Sequence, residues 1–110
     1  MSQSTYKGGI AGGSIAATFR SSAANAGTDL LTVSYAEVGG TNPKLAHGTA
    51  APGGFAPANI ETAKAGIIEV LVVTGSDTDS GTLTVTSNGA QVDTNDVTGS
   101  TRWVYSVGAK

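Results

Sequence analysis

One run of apolar residues constrains the fold of this chain more than any other feature. Between Ile67 and Val73, every residue except Glu69 is Ile, Leu or Val. Seven residues are too few for a buried helix, and β-branched side chains favour strands. The run therefore predicts the central strand of a sheet, covered on both faces. Glu69 indicates that one end of this strand faces water.

Shorter alternating segments surround this run, with turn residues between them. Apolar side chains occupy every second position in four segments, as in strands that place one face on a core: Ser14–Phe19, Asp29–Tyr35, Thr82–Thr86 and Arg102–Val107. Asn88-Gly89 is a strong hairpin signal, and it returns the chain along Ala90–Asp93 with Val92 facing inward. Six or seven short strands predict an all-β fold, either a small antiparallel β-sandwich or a partly open β-barrel.

The other segments lack this alternation. Residues 1–13 are Gly-rich and polar, which predicts a flexible arm, and residues 14–110 are expected to form a single β domain. Residues 44–57 contain Pro and Gly without any period, so they are predicted to form a long loop of the kind that often carries function. Asn59–Ala65 is predicted to begin a short helical turn.

The composition favours an oligomer. Leu, Ile, Val and Phe make up only 22 of the 110 residues, and 16 more are Ala. A core of small side chains needs further stabilisation, and a chain without cysteine cannot obtain it from a disulfide. A tight interface between copies supplies the missing apolar area. We therefore expect a homo-oligomer, with a trimer as the expected number.

Several classes of function do not fit the composition. Without cysteine the chain has no thiol nucleophile and no thiolate metal site. Six basic and eight acidic residues do not form the electrostatic footprint of a nucleic-acid-binding protein. No stretch approaches 18 apolar residues, so no membrane span is expected. Residues 1–13 lack the apolar run of a secretory signal, so assembly in the cytoplasm is expected.

Motifs for catalysis or cofactors are not found either. The Gly-rich residues 8–13 do not end in Lys-Ser or Lys-Thr and do not follow a strand, unlike a phosphate-binding loop. His47 is the only histidine, and no acid lies beside it at a spacing that suits a metal ligand or a base. His47 is therefore expected at a surface or interface. We expect no cofactor and no enzymatic activity.

Acidic residues flank both strands of the Asn88-Gly89 hairpin. Pairing about that turn places Gly81 opposite Asp96 and gathers the acids at one end, and converging oxygen ligands suit calcium. The spacing is not that of an EF-hand, however, and Asp, Asn and Ser are also ordinary turn residues. No metal is predicted, and the weak candidates for a site are Asp77, Asp79, Asp93 and Asp96.

Trp103 and Tyr105 share one face of the last predicted strand. They could form a platform on which a sugar stacks, but a single Trp in a chain with few aromatic residues is more often the largest residue of the core. The core interpretation is favoured.

Residues 47–57 read His-Gly-Thr-Ala-Ala-Pro-Gly-Gly-Phe-Ala-Pro. This stretch resembles the Thr/Ala-Pro-Gly-Gly segment in the head-decoration proteins of lambda-like phages, which have a similar length. The resemblance covers about a tenth of the chain. It implies a small capsid decoration, or cement, protein, commonly a trimer, that binds the lattice of the major capsid protein and braces its subunits. The implied location is the capsid surface of a virion.

The predicted arm and loop could drape over a neighbouring subunit. Their larger side chains are the candidates for interface residues: Tyr6, Ile10, His47, Pro52, Phe55 and Pro57. Two other functions remain open. One is a carbohydrate-binding β-sandwich module that uses Trp103 and Tyr105 or the acidic turns, and the other is a minor tail or fibre subunit of the same particle.

Overall fold

The computed structural model describes residues 4–22, 29–50 and 55–110. Nine strands occupy most of these residues, and the described ranges contain no helix that could cross a membrane. The strands are β1 Ser4–Ile10, β2 Gly13–Ser21, β3 Leu30–Glu37, β4 Lys44–Thr49, β5 Ala58–Thr62, β6 Gly66–Val73, β7 Ser80–Ser87, β8 Ala90–Thr98 and β9 Thr101–Val107.

The strands form two sheets that pack face to face. One sheet has five strands in the order β1-β9-β6-β3-β4, and the other has four in the order β5-β2-β7-β8. The all-β prediction is confirmed, and the fold is a sandwich, because the sheets do not close into a barrel. The central position of the Ile67–Val73 run is also confirmed, since β6 lies in the middle of the five-stranded sheet.

The core lies between the sheets and contains inward-facing residues of β2, β3, β5, β6, β7 and β9, with the partly buried Ile10, Ala46 and Val97 packed against it. β6 contributes Ile68, Val70 and Val72, none of which has any exposed surface. Trp103 and Tyr105 of β9 are 4% and 1% exposed, so these aromatic residues belong to the core as predicted. Alternation of inward and outward residues gives these six strands one buried face each.

The Asn88-Gly89 turn joins β7 and β8. Both turn residues have positive φ, 53° for Asn88 and 83° for Gly89, as a two-residue type I′ turn requires. The register shifts at Val85/Thr86 because β8 carries one extra residue in a bulge. Asp96 consequently lies opposite Thr82, one position from the predicted pairing. Val92, predicted to face inward, lies in the bulge and is 42% exposed.

Three segments without clear alternation are strands, which corrects the sequence interpretation. The arm predicted for residues 1–13 is wrong over Ser4–Ile10, because β1 pairs in parallel with β9 through backbone hydrogen bonds. The predicted loop contains β4, which pairs with β3. The helical turn predicted from Asn59 is wrong, since Ala58–Thr62 is strand β5 paired with β2. All three are edge strands.

Candidate functional site

The outer face of the five-stranded sheet is the candidate functional site. Among the described residues, seven large hydrophobic side chains are exposed, and five of them lie on this face. We call it the apolar face. Its apolar members are the outward-facing Tyr6, Leu30, Leu45, Ile67, Leu71, Val73 and Val104. Several exposed large hydrophobic side chains gathered on one face are typical of an interaction surface.

The apolar face follows from the composition of β6 and β3. β6 carries large apolar side chains at both odd and even positions, so one set enters the core and the other points outward, and β3 adds Leu30 to the outward set. Leu30 and Val73 are direct neighbours in the β3–β6 ladder, and they are 61% and 41% exposed. The sequence predicts that β6 is covered on both faces. Within a single chain, only the face toward the core is covered.

A charged pair occupies the middle of the apolar face. The Arg102 guanidinium on β9 donates hydrogen bonds from Nε and Nη2 to Oε1 of Glu69 on β6. These are the two charged residues among the outward-facing positions of the five strands of this sheet, and their formal charges cancel. A shallow groove of about 380 Å³ lies beside the pair, lined in part by Leu45 and Leu71.

Two pairs of polar side chains at the edges of the apolar face are hydrogen-bonded within the chain. At one edge, the hydroxyls of Tyr6 and Ser106 are 3.0 Å apart. At the other edge, Thr32 Oγ1 lies 3.1 Å from His47 Nδ1. Such internal pairing lowers the cost of removing these groups from water, because a buried polar group without a partner is unfavourable.

The outer face of the four-stranded sheet has a different character. Its outward positions on β7 are Thr82, Thr84 and Thr86. The Thr84 and Thr94 hydroxyls are 2.9 Å apart, and Thr82 donates a 2.8 Å hydrogen bond to Asp96. Exposed apolar side chains are therefore concentrated on one side of the sandwich.

The structure separates the six candidate interface residues. Tyr6 and His47 both lie on the apolar face, at its two edges on β1 and β4. Ile10 is partly buried against the core, and Phe55 lies under the Arg20 guanidinium, with Cζ 4.9 Å from the ring centroid. Pro57 is exposed. Pro52 lies outside the described residues.

The acidic residues are not brought together either. Asp93 and Asp96 are three positions apart on β8, so their side chains point to opposite faces of the sheet. Asp77 is exposed, whereas Asp79 is 4% exposed in the turn before β7. Within the described ranges, no three His, Asp or Glu side chains converge on a point that could hold a metal ion.

Asp93 belongs to a cluster that joins the open edges of the two sheets. Its Oδ2 accepts a 3.0 Å hydrogen bond from the Tyr105 hydroxyl and lies 3.3 Å from Lys7 Nζ. Lys7 Nζ is also 4.4 Å from the centroid of the Trp103 ring. Burial raises the pKa of the Tyr105 hydroxyl well above its ordinary value, and the hydrogen bond and charge of Asp93 raise it further. Tyr105 therefore stays protonated and serves as a structural donor.

Because of this cluster, Trp103 and Tyr105 do not form the exposed aromatic platform that was considered from the sequence. Sugar stacking needs an exposed ring face, but Trp103 lies beneath Lys7 and Tyr105 lies between the sheets. The apolar face itself was missed in the sequence, although apolar residues at both odd and even positions of β6 were a visible signal for it.

Comparisons with family models, curated proteins and solved structures find no match to this chain.

Proposed function

We propose that this protein is a virion structural protein, a capsid decoration protein that oligomerises and braces the capsid lattice. The observation that carries the proposal is the apolar face, where five of the seven exposed large hydrophobic side chains of the described residues are collected. A protein that works by contact needs such a surface. Its apolar side chains, its paired charges and its hydrogen-bonded edge residues suit protein association.

The remaining support comes from the size of the core and from the resemblance at residues 47–57. A small sandwich with few large apolar residues gains stability when a neighbour covers one of its faces. The only histidine is hydrogen-bonded to Thr32 on the apolar face. None of its described contacts is to a carboxylate that could orient the ring as in a catalytic triad, which favours a contact role over catalysis.

The test is binding to capsid shells. Expanded shells assembled from the major capsid protein encoded in the same genome are incubated with the purified chain and then sedimented. Saturable binding at a fixed number of copies per shell is expected. Binding to isolated tails or fibres without binding to shells would move the protein to the tail. Binding to a glycan array without binding to either would replace the proposal with the carbohydrate-binding function.

A further inference from the structure

We infer that the apolar face is covered by the same face of a second copy of this chain, related by a two-fold axis that crosses the strands at the level of Val70. This inference deepens the proposed function and rests on it only in taking the chain to be an oligomer. A two-fold contact of this kind is self-complementary. It gives a dimer, in place of the trimer that the resemblance implies.

The extent of the face meets the requirement of a small stable dimer. A face of five strands that are about 4.8 Å apart and roughly 25 Å long has an area of roughly 600 Å² per copy. Two such faces bury about 1,200 Å², the lower limit of specific protein interfaces. Nearly the whole sheet must then be covered. This condition favours a second sheet of equal size over a narrow segment such as a single strand or peptide.

The positions of the apolar residues suit a two-fold axis at this level. Ile67 and Val73 lie on β6 at equal distances from Val70, and they are 43% and 41% exposed. Rotation about the axis places Ile67 of one copy over Val73 of the other. Leu30 is level with Val73 and Ala36 is level with Ile67, so the same rotation places Leu30 over Ala36. Two sheets that pack this way are about 10 Å apart.

The charges fit the same axis independently. Arg102 lies level with Leu71 in the β6–β9 ladder, and Glu69 lies two residues away on β6. The rotation exchanges these two levels, so each Glu69 approaches Arg102 of the other copy and meets no like charge directly opposite. Each copy contributes one acid and one base to the middle of the interface. Because the charges of each face cancel, the face needs no oppositely charged partner, as expected of a face that pairs with itself.

Two valines of matched exposure provide the first test. Val73 on the apolar face and Val92 on β8 are 41% and 42% exposed, and both tolerate a polar side chain without loss of core packing. Sedimentation equilibrium of the isolated protein at about 10 µM, a concentration above the Kd of a stable dimer, should show a dimer for the wild type and for Val92→Lys. Val73→Lys should be a monomer, with Kd raised at least tenfold and an unchanged circular dichroism spectrum.

Charge reversal provides the second test. Its expected result is association of two variants in a mixture, which unfolded variants would not show. Glu69→Arg gives a face with two bases, and Arg102→Glu gives a face with two acids. Each variant alone should be monomeric, because both copies would then present like charges. An equimolar mixture should form a one-to-one heterodimer. The control places the charges on the outer face of the four-stranded sheet. Thr84→Arg is mixed with Thr94→Glu, and both chains also carry Val73→Lys so that the apolar faces cannot pair. No association is expected in this mixture.

The results separate this inference from the proposed function, because no capsid is present. A wild-type monomer, a wild-type trimer, or a mixture of the charge variants that stays monomeric would overturn the two-fold pairing. Shell binding by a monomeric wild type would retain the capsid-binding role but would remove both the inference and the oligomerisation that the proposed function includes. A dimer that follows both expectations but does not bind shells would retain the inference and remove the capsid role.

Discussion

The Tyr105 hydroxyl shows how a single buried proton contributes to this fold. In the folded chain its pKa is raised by burial and by Asp93, whereas in the unfolded chain the group titrates near its ordinary value of 10.0. The folded state therefore retains a proton that the unfolded state loses above pH 10. By linkage, this contribution to stability is complete below pH 10 and falls as the pH rises above it.

We predict that Tyr105→Phe removes this alkaline dependence. The free energy of unfolding of the wild type should fall more steeply between pH 10 and 11 than that of the variant, by up to about 1.4 kcal/mol per pH unit. Urea denaturation at intervals between pH 8 and 11 measures both slopes. Parallel curves for the two proteins would show that Tyr105 titrates normally in the folded state.

β1 shows how a segment with little apolar content is held in place. It lies at the edge of the five-stranded sheet and pairs with β9 alone. Lys7 contributes an ion pair with Asp93 and a contact with the Trp103 ring, and its side chain is 19% exposed. These contacts attach β1 to both sheets at the open edge of the sandwich.

We predict that Lys7→Met loosens β1 without unfolding the sandwich. Loss of the partly buried ion pair and the cation–π contact should cost about 1 kcal/mol, so amide hydrogens of β1 should exchange several-fold faster. Hydrogen exchange read by mass spectrometry or NMR measures this effect. Lys44→Met is the control, because Lys44 lies on the other edge strand with its Nζ 5.9 Å from the Tyr35 ring centroid. Equal effects from both variants would contradict a specific role for Lys7.

The central strand β6 gives the strongest expected effect on folding. Val72 has no exposed surface and Val73, its neighbour, is 41% exposed. Val72→Asp should abolish folding, since an unpaired buried charge costs several kcal/mol out of a total stability of about 5–15 kcal/mol. Val73→Asp changes the same residue type one position later and should give a folded chain. Circular dichroism of the two variants decides this, and a folded Val72→Asp would mean that β6 is not central to the core.

The strands that could be predicted from the sequence are stabilised differently from the strands that could not. β2, β3, β6, β7 and β9 place alternate apolar side chains in the core, which leaves a periodic signal. The edge strands β1 and β4 are held largely by backbone pairing, and their side chains are mostly exposed. Backbone hydrogen bonds leave no pattern in the residue types. In β5, Ala58, Ile60 and Thr62 do alternate, but only Ile60 is a large apolar residue, so the periodic signal is weak.

The apolar face could be predicted only in part. Tyr6 and His47 stood out as large side chains in segments that lacked a pattern, and both do lie on the face. Their relation to Ile67 and Val73 depends on the strand order β1-β9-β6-β3-β4. That order results from pairing between residues as far apart as Ser4 and Arg102, and no local pattern in the chain specifies it.

At the scale of the whole molecule, pairing of two copies links stability to concentration. Folded monomers that associate are stabilised by mass action, whereas a monomeric protein has a melting temperature that does not depend on its concentration. We predict that the melting temperature of the wild type rises by about 3 °C for each tenfold increase in concentration, given the entropy of unfolding expected for two chains of this length. Val92→Lys should follow the wild type.

Val73→Lys should melt at one temperature throughout the same concentration series, because a lysine on the apolar face prevents pairing while leaving the core unchanged. Differential scanning calorimetry over a hundredfold range of concentration measures all three proteins, with reversibility checked by a second scan. At the lowest concentration the wild type and Val73→Lys should converge, since both are then monomers. If the wild type shows no concentration dependence, the chain does not pair with itself over this range, and the thin core between the two sheets is sufficient for folding by itself.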